Sequence, residues 1–268
     1  MTTAAPVRDA VGAATDALAA AGCDTPRLDA ELLIADALGV ERGALVTDPD
    51  RAIPGSAARV IAERVRRRVM REPVAYILGR KGFRHIELAV DTRVLIPRPE
   101  TELLVEVALE LPGGARVHDV GTGSGAVALA LRHERPDLLV SASDASPGAV
   151  EVARANAARL GVELAVEVAP GLPNGGFDLV LANLPYVAED EMSALAPEIL
   201  RYEPREALVA GQDGLDSIRE LVAQAPRGTR LALEHAPHQG EAVRRLLHGG
   251  ATRRDLAGHE RVSLGTAP

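Results

Sequence analysis

The hydrophobic pattern changes its period along the chain. Over residues 5–70 it is helical: Val7, Val11, Ala14, Leu18 and Ala21 fall on one face, with the three- or four-residue spacing of an amphipathic helix. Asp24-Thr25-Pro26 offers a cap with proline just inside a second helix. Its stripe is Leu28, Leu32, Leu33, Ala35 and Leu38, and Gly39 stops it. After a turn at Pro54-Gly55-Ser56, residues 57–71 carry Val60, Ile61, Val65 and Val69 on one face. Arg59, Arg64, Arg66, Arg67, Arg68 and Arg71 occupy much of the rest. Such a charge run reads as a solvated helix face, or as a docking surface for an acidic partner or RNA. From Gly82 the spacing shortens. Phe83, Ile86, Leu88 and Val90, with Val94-Leu95-Ile96 beyond Asp91-Thr92, predict a short β-hairpin. Pro97-Arg98-Pro99 breaks it, and residues 100–111 read as a helix ended by Pro112-Gly113-Gly114.

Beyond this point strand and helix patterns alternate. Strands are predicted over residues 117–120, 138–143, 162–168, 177–182, 230–234 and 261–264. Helices are predicted over residues 126–133, 147–160, 214–225 and 239–247. This order implies an α/β fold, a doubly wound, mostly parallel sheet with helices on both faces.

Composition removes several function classes. Five aromatic side chains in 268 residues, Tyr76, Phe83, Phe177, Tyr186 and Tyr202, leave too few rings for a base-stacking platform. The core must be built from Ala, Val, Leu and Ile. A net charge of −8 disfavours direct nucleic-acid binding, which needs a basic face. The basic charge is nearly all arginine, Lys81 being the only lysine. The single cysteine, Cys23, excludes an internal disulfide and a cysteine-based zinc site. It fits a cytoplasmic protein. Residues 1–10 lack the basic-then-apolar pattern of a secretory leader. No apolar run reaches the about 18 residues of a membrane span. No membrane partner and no metal are expected.

Residues 119–125, Asp-Val-Gly-Thr-Gly-Ser-Gly, follow a predicted strand and open a predicted helix. Gly121, Gly123 and Gly125 permit close backbone approach of a ligand, and the helix start behind them offers free N–H groups. Asp119 precedes the glycines and Thr122 lies between them. Asp144 ends the next strand, 25 residues after Asp119, and a carboxylate there can accept both hydroxyls of a ribose. The third glycine comes two residues after the second, not three. The loop therefore resembles motif I of class I S-adenosylmethionine-dependent methyltransferases more than a nicotinamide site.

The apolar strand Leu179-Val180-Leu181-Ala182 runs into Asn183-Leu184-Pro185-Tyr186. A methyl acceptor that is a planar amide or amine nitrogen presents N–H donors and needs two acceptors. The Asn183 side-chain oxygen is one and the Leu184 carbonyl the other. Holding both hydrogens turns the nitrogen lone pair toward an incoming methyl group. Tyr186 would form a wall of the acceptor pocket. Tyr202, beside Glu203-Pro204, is a second pocket candidate, and Phe177 fits the core as well as the site.

Along nearly its full length the chain resembles the release-factor glutamine methyltransferases, the PrmC (HemK) family. The resemblance rests on residues 71–79 (Arg-Glu-Pro-Val-Ala-Tyr-Ile-Leu-Gly), Phe83, residues 94–102 (Val-Leu-Ile-Pro-Arg-Pro-Glu-Thr-Glu), the glycine loop and Asn183-Leu184-Pro185-Tyr186. Downstream, Glu203-Pro204, Ala207-Leu208, Gly211, Asp213-Gly214-Leu215-Asp216, Glu234, Gln239-Gly240 and Arg261-Val262 also match. It implies methylation, from S-adenosyl-L-methionine, of the side-chain amide of the glutamine in the Gly-Gly-Gln motif of peptide-chain release factors; separately, the chain is expected to be a monomer. It implies a helical N-terminal domain over residues 1–80 that helps hold the release factor. A β-hairpin link and the catalytic domain fill residues 81–268. Asp119, Gly121, Thr122, Gly123, Gly125, Asp144 and Asn183 would contact the cofactor. Asn183, Leu184, Pro185 and Tyr186 would take the substrate amide, with Asn183, Pro185 and Tyr186 as the catalytic set. Arg98 and Glu100 are either pocket groups or parts of an interdomain ion-pair network.

Two departures keep an alternative open, a diverged N-methyltransferase acting on another protein, a metabolite or a nucleic-acid base. The family pattern is Asn-Pro-Pro-Tyr, and Leu184 replaces its first proline; Asn-Leu-Pro-Tyr also resembles the motif of rRNA adenine dimethyltransferases. Residues 166–173 lack the acid that often holds adenine, Glu167 lying inside the predicted strand. A non-catalytic docking module is opposed by the intact glycine loop, Asp144 and Asn183.

Overall fold

In the computed structural model, residues 5–268 are described; residues 1–4, which the leader and domain expectations include, lie outside the described residues. The chain divides into two compact units. The first runs to Gly79 and includes Ala196–Tyr202. It holds α1 (Val7–Ala20), α2 (Pro26–Leu38), α3 (Ala44–Thr47), α4 (Gly55–Val69), α5 (Val74–Leu78) and, from later in the chain, α9 (Pro197–Tyr202). Val7, Val11, Leu18, Ala30, Ile34 and Ile61 build its core, as the helical spacing requires. Gly39 ends α2 in the left-handed conformation, φ 62°.

The arginine helix α4 corrects both readings of its charge. Arg68 is buried, with Nε on Asp29 at 2.7 Å and Nη1 on Glu198 at 2.8 Å. Arg71 also pairs with Glu198, at 2.6 Å, Arg64 with Asp36, at 2.6 Å, and Arg67 with Glu72, at 2.5 Å. Only Arg59 and Arg66 of the six are exposed. Most of the run is internal pairing that fastens α4 to α2 and α9, because a guanidinium can bridge two carboxylates at once. Tyr202 belongs to this unit too: its hydroxyl donates to the Met70 carbonyl at 3.0 Å. It is not a cleft residue.

The second unit opens with a hairpin, β1 (Arg80–Phe83) and β2 (Ile86–Ala89), in which Phe83 pairs with Ile86. The turn is tighter and earlier than the apolar spacing predicts. Arg84 takes the left-handed region, φ 48°, so the strands reverse across two residues. Val94-Leu95-Ile96 form no strand; the Ile96 N–H donates to the Glu203 carboxylate at 3.1 Å. A 3-10 turn, Pro99–Thr101, leads into α6 (Glu102–Leu109). Next come β3 (Arg116–Val120), α7 (Ala126–Glu134), β4 (Leu139–Asp144), α8 (Pro147–Leu160), β5 (Ala165–Val168) and β6 (Leu179–Ala182). They are followed by α10 (Asp216–Gln224), β7 (Arg230–Glu234), α11 (Gly240–Leu246), β8 (His248–Arg254) and β9 (Glu260–Thr266).

The sheet has seven strands in the order β5-β4-β3-β6-β7-β9-β8. The first five run parallel and β9 and β8 close the edge antiparallel. Strand β8 escapes sequence patterning because its residues are nearly all exposed and do not alternate. All four residues of β6 are buried, as expected of a central parallel strand. Val120 lies level with both Ser143 and Ala182. That register brings the loops after β3, β4 and β6 to one rim, at the point where the strand order reverses. Among the described residues no helix is long and apolar enough to cross a membrane.

Candidate active site

The three loops enclose a cleft of about 340 Å³ wholly within the second unit. All three glycines of the first loop have positive φ, 72° at Gly121, 55° at Gly123 and 84° at Gly125, a conformation that costs other residues a Cβ clash. Their surroundings differ. A Cβ on Gly123 would meet nothing within 4 Å, so this glycine faces open cleft. A Cβ on Gly121 would lie 2.8 Å from Leu184 Cδ2, and one on Gly125 2.8 Å from Leu129 Cδ1. Gly123 therefore leaves room for a ligand, Gly121 lets the acceptor loop close in, and Gly125 packs the start of α7 and does not line the cleft.

Asp144 stands at the end of β4 with both oxygens engaged. Oδ2 accepts the Gly123 N–H at 2.9 Å and Oδ1 accepts the Ser146 N–H at 2.9 Å. Each carboxylate oxygen keeps a further lone pair for a hydroxyl. Asp119 is deeper. It accepts the Thr122 hydroxyl at 2.7 Å, and burial pushes its carboxyl up to about 7 against that bond and one from the Ala128 N–H. Beyond β5, Ala169, Pro170 and Gly171 line the cleft. The Leu172 N–H donates to Gln224 Oε1 at 3.0 Å, which pins this stretch to α10. Glu167 is exposed on β5 and does not line the cleft, whereas α10 presents Glu220 and Gln224 to it.

Asn183, Leu184 and Pro185 form the opposite wall with Thr101 and Arg98. Asn183 Nδ2 donates to Thr101 Oγ1 at 2.9 Å. This leaves the side-chain oxygen as the free end of the amide. Tyr186 is not a wall of the cleft. Its hydroxyl lies 3.5 Å from Glu234 Oε1, and burial beside that carboxyl raises the phenol well above its usual 10. The Tyr186 carbonyl accepts from Gln239 Nε2 at 2.9 Å, and the same nitrogen reaches the Asp213 carbonyl at 3.1 Å. Arg98 pairs with Glu203, a nearly inaccessible carboxylate of the same unit. Glu100 stays at the margin, 3.8 Å from Arg261.

Sequence reasoning gave Thr101, Glu234, Gly214 and Gln239 no role. The available signal was chemical: an acid ending the apolar strand Leu231-Ala232-Leu233, and a glutamine opening a helix, need buried partners.

The PrmC N-terminal domain family matches residues 9–79 and the Methyltransferase small domain family matches residues 99–214. The chain is 46% identical to the release factor glutamine methyltransferase of Pseudomonas aeruginosa, covering 90% of this chain and 94% of that protein. It is 42% identical to that of Xylella fastidiosa, with 94% and 97% covered, and 42% identical to that of Mycolicibacterium smegmatis, with 97% of each covered. Among solved structures, the hMettl16 catalytic domain in complex with a 3′UTR hairpin superposes with a TM-score of 0.53 at 14% identity, over 75% of this chain and 81% of that one. That likeness is one of fold alone.

Proposed function

This chain belongs to the release factor glutamine methyltransferases, and from that premise we propose how its residues divide the work. The enzyme methylates a release-factor glutamine on its side-chain amide nitrogen with S-adenosyl-L-methionine as cofactor. When bound, the cofactor supplies a methyl group activated on a sulfonium sulfur. The open face of Gly123, the free lone pairs of Asp144 and the ≈340 Å³ of the cleft fit such a molecule. Asp144 takes the ribose hydroxyls, and Gly121, Gly123, Thr122 and Asp119 shape the backbone against which it lies. Gly125 acts indirectly, by letting α7 start beneath the loop.

The observation that carries the acceptor side is the single free end of Asn183. Its nitrogen is committed to Thr101, so its oxygen is left to accept one N–H of the substrate amide. The Leu184 carbonyl accepts the other. Held this way, the amide presents its nitrogen lone pair toward the cofactor side of the cleft, and orientation of this kind is worth several kcal/mol of barrier. No strong base is needed during the transfer, since the nitrogen becomes cationic and then sheds its proton to water. Pro185 and the half-buried Tyr186 hold the loop in shape. Arg98, fixed by Glu203, borders the entrance. Glu100 acts from behind this wall.

The substrate glutamine is that of the Gly-Gly-Gln motif. The helical unit serves to hold the release factor. The enzyme acts as a monomer in the cytoplasm, which the lone cysteine fits, and without direct nucleic-acid contacts, which the net charge of −8 disfavours. The test is incubation of the protein with labelled S-adenosylmethionine and purified release factor, followed by peptide mass spectrometry. One methyl group on the Gly-Gly-Gln glutamine is expected, and none with Asn183→Ala. Label appearing on RNA or a metabolite but not on release factor would overturn the reading.

A further inference from the structure

We infer that Thr101 and Glu234 are positioning residues that hold the Asn183 amide in one orientation, its oxygen toward the acceptor glutamine. The inference rests on the reading that Asn183 binds the substrate amide, and it explains what prevents that amide from turning over. Asparagine has two ends of nearly equal shape and opposite hydrogen-bonding sense. In the inverted orientation an NH2 group would meet the substrate N–H, and binding would be lost.

Thr101 is buried on the 3-10 turn before α6 and receives Asn183 Nδ2 at 2.9 Å. Its hydroxyl has a single hydrogen. The Glu234 carboxyl at the end of β7, one strand over from β6, faces this hydroxyl and is the acceptor to which we assign that hydrogen. Glu234 is 1% exposed, and its Oε2 has no partner. An ionised carboxylate only accepts. With its hydrogen given to Glu234, Thr101 has only lone pairs left for Asn183, and only the NH2 end of the amide can face it. The sense of the whole chain is therefore set by the charge at its far end. A glutamine of the same shape would avoid the cost of burying that charge, but it could donate as well as accept and would leave the sense undetermined.

The groups facing Glu234 are the Thr101 and Tyr186 hydroxyls, the Glu100 carboxylate and the Arg261 guanidinium; Arg98 and Arg261 also face Tyr186. Burial is the main cause that moves Glu234 up to about 7, with Glu100 adding to it and Thr101, Arg261 and Tyr186 opposing. Once protonated, Glu234 becomes a donor. It can occupy a Thr101 lone pair, and the Thr101 hydrogen is released to seek the Asn183 oxygen.

The test uses the full chain, purified release factor and saturating S-adenosylmethionine, over pH ~6 to ~9. Thr101→Val, which keeps the shape and removes the hydroxyl, is expected to lower kcat on the order of 100-fold, with cofactor affinity by calorimetry unchanged and activity regained in Thr101→Ser. Wild-type kcat should fall as pH drops through about 7. Glu234→Gln should be slow throughout and lack that limb. Asp119, also near 7, remains in that variant and so cannot explain the loss. In the wild-type protein the Asn183 side-chain amide NMR pair should shift across the same range. Wild-type kcat in Thr101→Val, or an acid limb kept by Glu234→Gln, would overturn the inference while Asn183→Ala stayed inactive. If Thr101→Val does not fold, a wild-type kcat and an Asn183 amide signal that are both flat across this range would overturn it equally. An active Asn183→Ala would instead sink the reading of the site itself.

Discussion

Gly214→Ala should be among the most damaging single-methyl changes in this protein. Gly214 sits at φ 71°, and an alanine in that left-handed region costs about 1–2 kcal/mol. The added Cβ would also overlap the Tyr186 carbonyl oxygen and approach Gln239 Nε2 to 2.6 Å. The carbonyl is backbone and cannot swing aside. Gln239 is 3% exposed, and its nitrogen satisfies the carbonyls of Tyr186 and Asp213. Displacing it leaves buried polar groups unpaired at about 1–3 kcal/mol each. The expected loss is about 3–8 kcal/mol, against a total of about 5–15 kcal/mol for a typical domain. Urea unfolding followed by circular dichroism measures it directly. Gln239→Ala removes the two donors without the overlap. The double variant should therefore lose less than the sum of the two single losses, because the amide tip is part of what the new methyl strikes. If enough Gly214→Ala folds for assay, kcat should fall more than cofactor affinity, since Tyr186 and its neighbours move while Asp144 does not. A variant within 1 kcal/mol of wild type (about a fivefold change in the folding equilibrium) with normal kcat would refute the clamp.

Three further outcomes are expected. Arg68→Ala strips Asp29 and Glu198 of a shared guanidinium in a buried setting and should cost about 3–5 kcal/mol; Arg59→Ala, exposed on the same helix, should cost under about 0.5 kcal/mol, and equal losses in thermal melts would mean that the α4 charges are not structural. Glu234 holds its proton more tightly in the fold, at about 7, than in the unfolded chain, at 4.5. Its contribution is thus full below pH 4.5 and is lost as pH rises to about 7. Glu234→Gln should therefore raise the melting temperature at pH ~8, by up to about 3 kcal/mol of stability, and much less at pH ~5; the same gain at both would contradict the burial argument. Asp144→Asn keeps one accepting oxygen of the two that bind Gly123 and Ser146. It should weaken cofactor binding by about 10-fold or more, and an unchanged calorimetric Kd would remove Asp144 from the ribose.

What the sequence displayed and what it hid follow one physical division. The glycine loop was legible because a positive φ at alternate positions tolerates little but glycine. Asn183 was legible because a fully apolar strand had to stop there. Local patterns announce local requirements. The hairpin partner was misjudged because its turn is made by Arg84 and His85, with no glycine, asparagine or proline to mark it. Strand β8 has neither alternation nor burial to betray it. The pairing of Arg68 with Glu198 joins α4 to α9, far down the chain, and no local rule separates that arginine from Arg59. Glu234 was hidden for the same reason: its meaning lies in Thr101 and Tyr186, which arrive from other loops.

Leu184 illustrates how one function can be secured by different physics. A proline at this position would restrict the Asn183 backbone by covalent geometry, an effect worth about 0.4–1 kcal/mol through the unfolded chain. Leu184 has no such constraint. Its side chain instead packs against the cluster containing Val120, Val180 and Ala182 and covers the place where Gly121 would carry a Cβ. Partial burial of a leucine contributes about 1–2 kcal/mol, so packing can replace what the ring would have supplied. The substitution also changes what the order depends on. A proline would fix Asn183 from within its own loop. Leu184 fixes it against Gly121, so the acceptor loop is set by the shape of the cofactor loop. With Thr101 holding the Asn183 side chain and Gln239 holding the Tyr186 carbonyl, the tetrapeptide is tied at three points to different parts of the unit. The site therefore keeps its geometry without the proline, and the departure from the family pattern does not require a different substrate.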